Sequence, residues 1–135
     1  MTEIILVAQL LVAAGAALMA MKYLAGPVPA DYHRQIIEKS GGGIETGHQQ
    51  VLTALYRAMG GSFLGNAVSL ALLAWFAGTS TWGQWAILLT GLASLVPIMM
   101  IAYRTERETG VKTPWRIAAI LHVVLIAAFL LFLAS

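Results

Sequence analysis

The chain contains no cysteine among its 135 residues. That excludes disulfides, thiolate metal sites and a cysteine nucleophile, and it leaves the redox compartment open. Charge is scarce too: Asp, Glu, Lys and Arg make up 10% of the sequence, against about a quarter in an average soluble domain. Four long stretches, 4–21, 58–78, 82–103 and 117–134, hold no charged residue at all. A proton-coupled exporter would be expected to carry a carboxylate within such a stretch, and none is there. Nor can a Ser/His/Asp set be assigned. The His and acidic residues between 31 and 48 do not match a ligand spacing such as H-E-x-x-H, and Gly41-Gly42-Gly43 lacks the Lys-Ser/Thr sequel of a phosphate loop. No catalytic, cofactor-binding or metal-ligating residue is therefore assigned, and the expectation is a non-enzymatic chain without cofactors.

What is present is apolar. Hydrophobic residues account for 59% of the sequence and the mean hydropathy is +0.80. Each charge-free run meets the length of about 18 residues that a helix needs to cross a bilayer core. Backbone amides in lipid must be satisfied within the segment, and the alternation of a lipid-facing barrel strand is missing, so the runs are expected to be helices. The net charge of +2 and a pI near 9.2 place loop cations against anionic headgroups rather than against nucleic acid. The partners implied are membrane lipid and other membrane subunits or further copies of the chain.

The placement of the cations specifies an orientation. Lys22, Arg34, Lys39 and Arg57 lie between the first and second runs, and Arg104, Arg107, Lys112 and Arg116 between the third and fourth. The N-terminal tail, the 78–82 turn and the C-terminus carry none. Because basic loops are retained in the cytoplasm during insertion, the expected fold is all-α. It is a polytopic inner-membrane protein with four transmembrane helices in an antiparallel bundle and both termini outside. Residues 1–135 form one domain, with cytoplasmic loops 22–57 and 104–116. Glu3 precedes the first run and Lys22 follows it, the reverse of a secretory signal, so that run is expected to remain as an uncleaved span.

Local signals refine the elements. Thr46-Gly47-His48-Gln49 reads as a capping box, and the stripe Val51, Leu52, Leu55 and Met59 extends the second helix back to about residue 47. Arg104 and Glu108 can pair at i,i+4, and Gly110 suits a helix stop. Thr113-Pro114 predicts a capped start for the fourth span. Pro27 and Pro29 interrupt the first helix, and 31–39 can form a short interfacial helix with Tyr32, Ile36 and Ile37 toward lipid. Tyr23, Tyr56, Trp82, Trp85, Tyr103 and Trp115 flank the spans as an interfacial belt.

Three groups of residues are candidates for function. Asn66, Ser94 and His122 fall at comparable middle depths and could converge on one polar spot. Such a spot would serve a small solute or ion carrier, or merely join helices by hydrogen bonds. Gly61, Gly65 and Ser69 recur every four residues, the spacing that lets helices pack closely. The loop residues Tyr32, His33, Arg34 and His48 offer a partner-docking surface; metal binding or enzyme activity built on that loop ranks last.

Pro29-Ala30-Asp31-Tyr32-His33, His48-Gln49-Gln50 and Leu55-Tyr56-Arg57-Ala58-Met59-Gly60-Gly61 together resemble small uncharacterised four-span membrane proteins of bacteria. The likeness covers the first loop and the first half of the second span. It implies a four-span fold and supplies no activity or functional residues. The expected role is an accessory or interaction subunit, of a homo-oligomer or of a larger membrane complex.

Overall fold

A computed structural model describes residues 2–135. Five helices follow one another: α1 (Thr2–Ala25), α2 (Asp31–Lys39), α3 (Thr46–Ala77), α4 (Thr81–Thr109) and α5 (Trp115–Leu133). Among the described residues there is no strand. The four long helices are each apolar enough to cross a membrane, an 18-residue stretch of each having a mean hydropathy of 2.4, 1.4, 2.1 and 2.6 in turn. At about 1.5 Å per residue, α3 is roughly 48 Å long, well beyond a hydrocarbon core of about 30 Å. Its first turns therefore project from the bundle toward the loop pole.

The helices form a ring in which α1 and α4 each touch both α3 and α5. Large apolar side chains point out from every long helix, among them Leu18 at 73% exposure, Phe76 at 78% and Val123 at 67%. Such a surface is untenable in water and is what a bilayer solvates. The chain is thus an integral, multi-pass membrane protein: an all-α bundle of four membrane-spanning helices.

The core has two parts. Val12, Leu70, Ile87, Leu95, Leu125 and Phe129 fill the half nearer the 78–80 turn, and Ala20, Tyr23, Ala30, Tyr56 and Phe63 fill the half nearer the long loop. The α1–α3 pair packs most closely. Its inner faces alternate large and small: Val12, Ala13, Ala16 and Ala20 on α1, and Gly60, Phe63, Ala67, Leu70 and Ala74 on α3. A Cβ at Gly60 would sit 2.7 Å from Leu24 Cγ and 2.9 Å from the Leu24 backbone nitrogen. Only glycine permits that approach.

The ends mix expected and unexpected devices. Gly110 stops α4 in the left-handed region at φ 66°, its N–H bonded to Glu106 O, and Arg104 pairs with Glu108 at 2.6 Å. Ser80 caps α4 by accepting from Gly83 N. The box expected at Thr46 does not form: Glu45 is the N-cap position without a side-chain bond, and Gln49 Nε2 donates to Val28 O at 2.6 Å instead. A loop carbonyl without a helical partner captures the amide. Thr113 does not cap α5 either. Its hydroxyl donates to Ala102 O at 2.8 Å, its N–H donates to Glu106, and Arg116 donates to the same carboxylate at 2.8 Å. Glu106 thereby joins the end of α4 to the start of α5.

Candidate functional site

Four aromatic or imidazole rings meet at the loop pole. Tyr23 ends α1, Tyr32 and His33 sit on the first turn of α2, and Tyr56 lies on the projecting part of α3. The Tyr23 and Tyr32 hydroxyls are 2.7 Å apart, and Tyr56 Oη accepts from Ala30 N–H at 3.1 Å and is hydrogen-bonded to His33 Nδ1. Tyr23 stacks on Phe63 at 5.6 Å and meets Tyr56 edge-on at 5.2 Å. Arg57 donates to the Tyr23 and Leu24 carbonyls, satisfying orphan acceptors at the end of α1. The α2 segment is thus bolted onto the bundle, with Lys22 Nζ 5.2 Å above the Tyr32 ring.

This corrects two expectations. Tyr32 turns toward Tyr23 rather than toward lipid, and Tyr23 and Tyr56, expected in the interfacial belt, are buried at 4% exposure each. The docking set also splits: Tyr32 and His33 are drawn into the cluster, while Arg34 and His48 stay exposed. Among the described residues, no three His, Asp or Glu side chains are grouped so as to hold a metal ion.

Burial, and after it the Lys22 charge, pushes the His33 imidazole below its ordinary value of 6.5. Burial and the Tyr23 hydroxyl raise Tyr32, so its phenol keeps its proton. The neutral His33 ring is hydrogen-bonded through Nδ1 to Tyr56 Oη. The sign of the pH effect follows. With the folded value depressed, the unfolded state binds more protons below 6.5, so the stabilisation is complete above that pH and declines beneath it. Amide protection factors across 31–39, taken relative to the intrinsic exchange rate at each pH, should fall between pH 7.5 and about 5.5, and His33→Gln should remove that fall. Protection factors that are flat with pH in the wild type would dismiss the switch.

Deeper in the membrane, Asn66 of α3 and Ser94 of α4 line one groove between those helices, with Leu55, Met59, Phe63 and Ile98 as apolar walls. Its volume is about 420 Å³. Ser94 Oγ donates to Thr90 O at 2.8 Å, whereas Asn66 Nδ2 is buried without a partner among the described residues. His122 does not line this groove. It is 6% exposed, its Nδ1 donates to Ala118 O of its own helix at 2.7 Å, and Nε2 has no partner among the described residues. The expected three-residue spot is therefore two residues in a groove and a separate core histidine. The reason is the ring: α5 neighbours α1 and α4, with α3 on the opposite side.

Gly61, Gly65 and Ser69 are exposed, and a Cβ at either glycine would meet nothing within 4 Å. They do not pack helices within the chain. The close intramolecular approach belongs to Gly60, one residue and about 100° of helix rotation away.

Sequence reasoning missed a buried polar pair near the 78–80 turn. Gln9 of α1 and Gln84 of α4 are 3% and 1% exposed. Gln9 Nε2 donates to Gln84 Oε1 at 2.7 Å, and Gln84 Nε2 donates to Gly78 O. The link ties α1 to the helix across the ring. Its signal was available: each glutamine is a lone strong polar residue in an apolar run, and both lie near the same pole.

No family model matches the chain, and neither a curated protein nor a solved structure does so.

Proposed function

We propose that this protein is a non-catalytic accessory or interaction subunit of a bacterial inner membrane, assembling through the outer face of α3 with copies of itself. The observation that carries this is the outward row Ala54, Ala58, Gly61, Gly65 and Ser69, all exposed on a membrane-spanning helix. Elsewhere the lipid-facing surface is mainly large side chains such as Leu18, Phe76 and Val123, with small ones scattered singly, as at Ala14, Ala93 and Ala127. Small residues leave lipid poorly packed and give a second helix close access to backbone. A self-complementary stripe on one helix suits a two-fold contact. The resemblance of the loop and of the first half of α3 to small four-span bacterial proteins is compatible with this role.

Photobleaching-step counts in lipid nanodiscs, or fluorescence transfer between labelled copies, test the reading. The wild type should associate, and Gly65→Leu should shift it to monomers. Because nothing stands within 4 Å of a Cβ at Gly65, the variant monomer should keep its fold. A wild type that is monomeric at all protein-to-lipid ratios, or a Gly65→Leu variant that associates as well as the parent, defeats the proposal.

The orientation proposed with it puts both termini outside and loops 22–57 and 104–116 in the cytoplasm. Its support is that all eight Lys and Arg residues lie in those two loops. A phosphatase fused after Ser135 should be active and a fluorescent protein there should be dark. The inverse pattern overturns the orientation.

A further inference from the structure

Folding gathers positive charge at one point of the loop pole. The α2 segment runs from Ala30, whose N–H donates to Tyr56, across to the end of α4, where Lys39 Nζ donates to Thr109 O at 3.3 Å. Lys39 thereby joins Arg107 and Lys112, which lie three residues before and two after Gly110. All three are exposed, and none has a carboxylate partner among the described residues. The carboxylates of α4 are taken: Glu108 holds Arg104, and Glu106 holds Arg116 and the Thr113 N–H. Glu38, next to Lys39, lines a cavity with Val28 and Gln49 instead. The turn between the cations is open, since a Cβ at Gly110 would meet only Lys39 Nζ within 4 Å. One cation suits the carbonyl end of a helix, and Lys39 fills that role at Thr109. Arg107 and Lys112 remain without a task inside the chain.

Depth selects their partner. Arg107 and Thr109 lie roughly 6 and 9 Å beyond Tyr103, at about 1.5 Å per residue. The headgroup layer on each side of a bilayer is about 5–7 Å thick, and long basic side chains bend back into it. Just below, Met100 and Ile117 are exposed, and Tyr103 meets Trp115 edge-on at 5.3 Å. A soluble anion would use the cations alone, whereas an anionic lipid uses the cations and the apolar surface together. Charge sets the class of headgroup. Two phosphates joined by a short linker engage several cations for one loss of freedom, while single-phosphate lipids must be held one by one.

We propose that Lys39, Arg107 and Lys112 form a binding site for a diphosphate phospholipid of the cardiolipin class, its phosphates accepting from these cations and its tails lying along Met100 and Ile117. The site rests neither on the α3 contact nor on the orientation of the chain, because a detergent micelle offers the lipid to either pole.

The experiment uses the whole protein in nonionic micelles, with bound lipid counted by native mass spectrometry as cardiolipin or phosphatidylglycerol is titrated at equal phosphate. Cardiolipin should bind at a midpoint about tenfold or more below that of phosphatidylglycerol. Arg107→Gln and Lys112→Gln should each raise the cardiolipin midpoint roughly fivefold, the worth of about 1 kcal/mol per basic residue at an anionic surface. Neither side chain is in an ion pair among the described residues, so both variants should keep the fold. Lys39→Gln should weaken binding as well. Arg34→Gln, which removes an exposed cation on the Val28 side of α2, should leave the midpoint unchanged. Inorganic pyrophosphate, two phosphates without tails, should not displace the lipid. Equal midpoints for the two lipids would overturn the proposal. So would a loss in Arg34→Gln as large as that in Arg107→Gln, or unchanged binding in both Arg107→Gln and Lys112→Gln. Displacement by pyrophosphate would make the patch a site for soluble anions and reject the lipid.

Discussion

Gly60→Leu should abolish the folded bundle, while leucine at Gly61 or Gly65 should leave the monomer intact. At Gly60 even a methyl group meets the Leu24 backbone nitrogen at 2.9 Å, and backbone cannot rotate away as a side-chain tip can. Gly60→Ala should gain about 0.5–1 kcal/mol of helix propensity and lose more than that to overpacking, typically 1–3 kcal/mol. The net sign should be destabilising. For leucine, α1 and α3 would have to part, and they form the closest pair in the bundle. Arg57 would lose its carbonyl partners at Tyr23 and Leu24, and the aromatic cluster around Tyr23 and Tyr56 would open with it. Gly61→Ala and Gly65→Ala have no such contact and should be neutral or slightly stabilising. The measurement is unfolding in mixed micelles as the fraction of denaturing detergent rises, followed by tryptophan fluorescence. Equal losses at residues 60, 61 and 65 would mean that the faces of α3 are misassigned.

That contrast shows where the sequence stops being legible. The spans and the extensions of α3 and α4 could be read because charge-free runs, the apolar stripe from Val51 to Met59 and a left-handed glycine at 110 leave local marks. The face of α3 that turns inward leaves none. Gly61, Gly65 and Ser69 form the more regular row, yet Tyr56, Phe63 and Leu70 need a core and set the phase. In lipid both faces are apolar, so hydrophobic periodicity cannot decide between them. The caps failed for a related reason. Gln49 and Thr113 found the Val28 and Ala102 carbonyls, partners remote in sequence that outcompete the nearby amide. Equal depth brought Asn66 and Ser94 to one groove, but depth says nothing of position around the ring, and that separates His122 from Asn66.

The Gln9–Gln84 pair should behave as a unit, and a double-mutant cycle makes the point measurable. Gln84→Leu removes the acceptor for Gln9 Nε2 and the donor to Gly78 O together. It strands a Gln9 amide whose Oε1 already lacks a partner. The expected loss is about 1–3 kcal/mol, the cost of leaving a buried polar group unpaired. Gln9→Leu should cost less, because Gln84 keeps its bond to the turn. The double variant strands neither amide, so its loss should fall short of the sum of the two singles. The coupling should be about 0.6 kcal/mol, the average found for hydrogen bonds between membrane helices, and no more than about 1.7. Only the Gly78 carbonyl is then left open, at a turn where water or headgroups can reach it. Because α1 and α4 face each other across the ring, the bond also fixes the register of helices that share few other contacts. Gln84→Leu should therefore loosen the 78–80 turn, seen as faster amide exchange there, and Gln9→Leu should not. Equal exchange at the turn in both variants would mean that the Gln84 bond to Gly78 O is not what holds the turn, and strict additivity of the two substitutions would mean that the glutamines act separately and that the link across the bundle is not what holds α1 against α4.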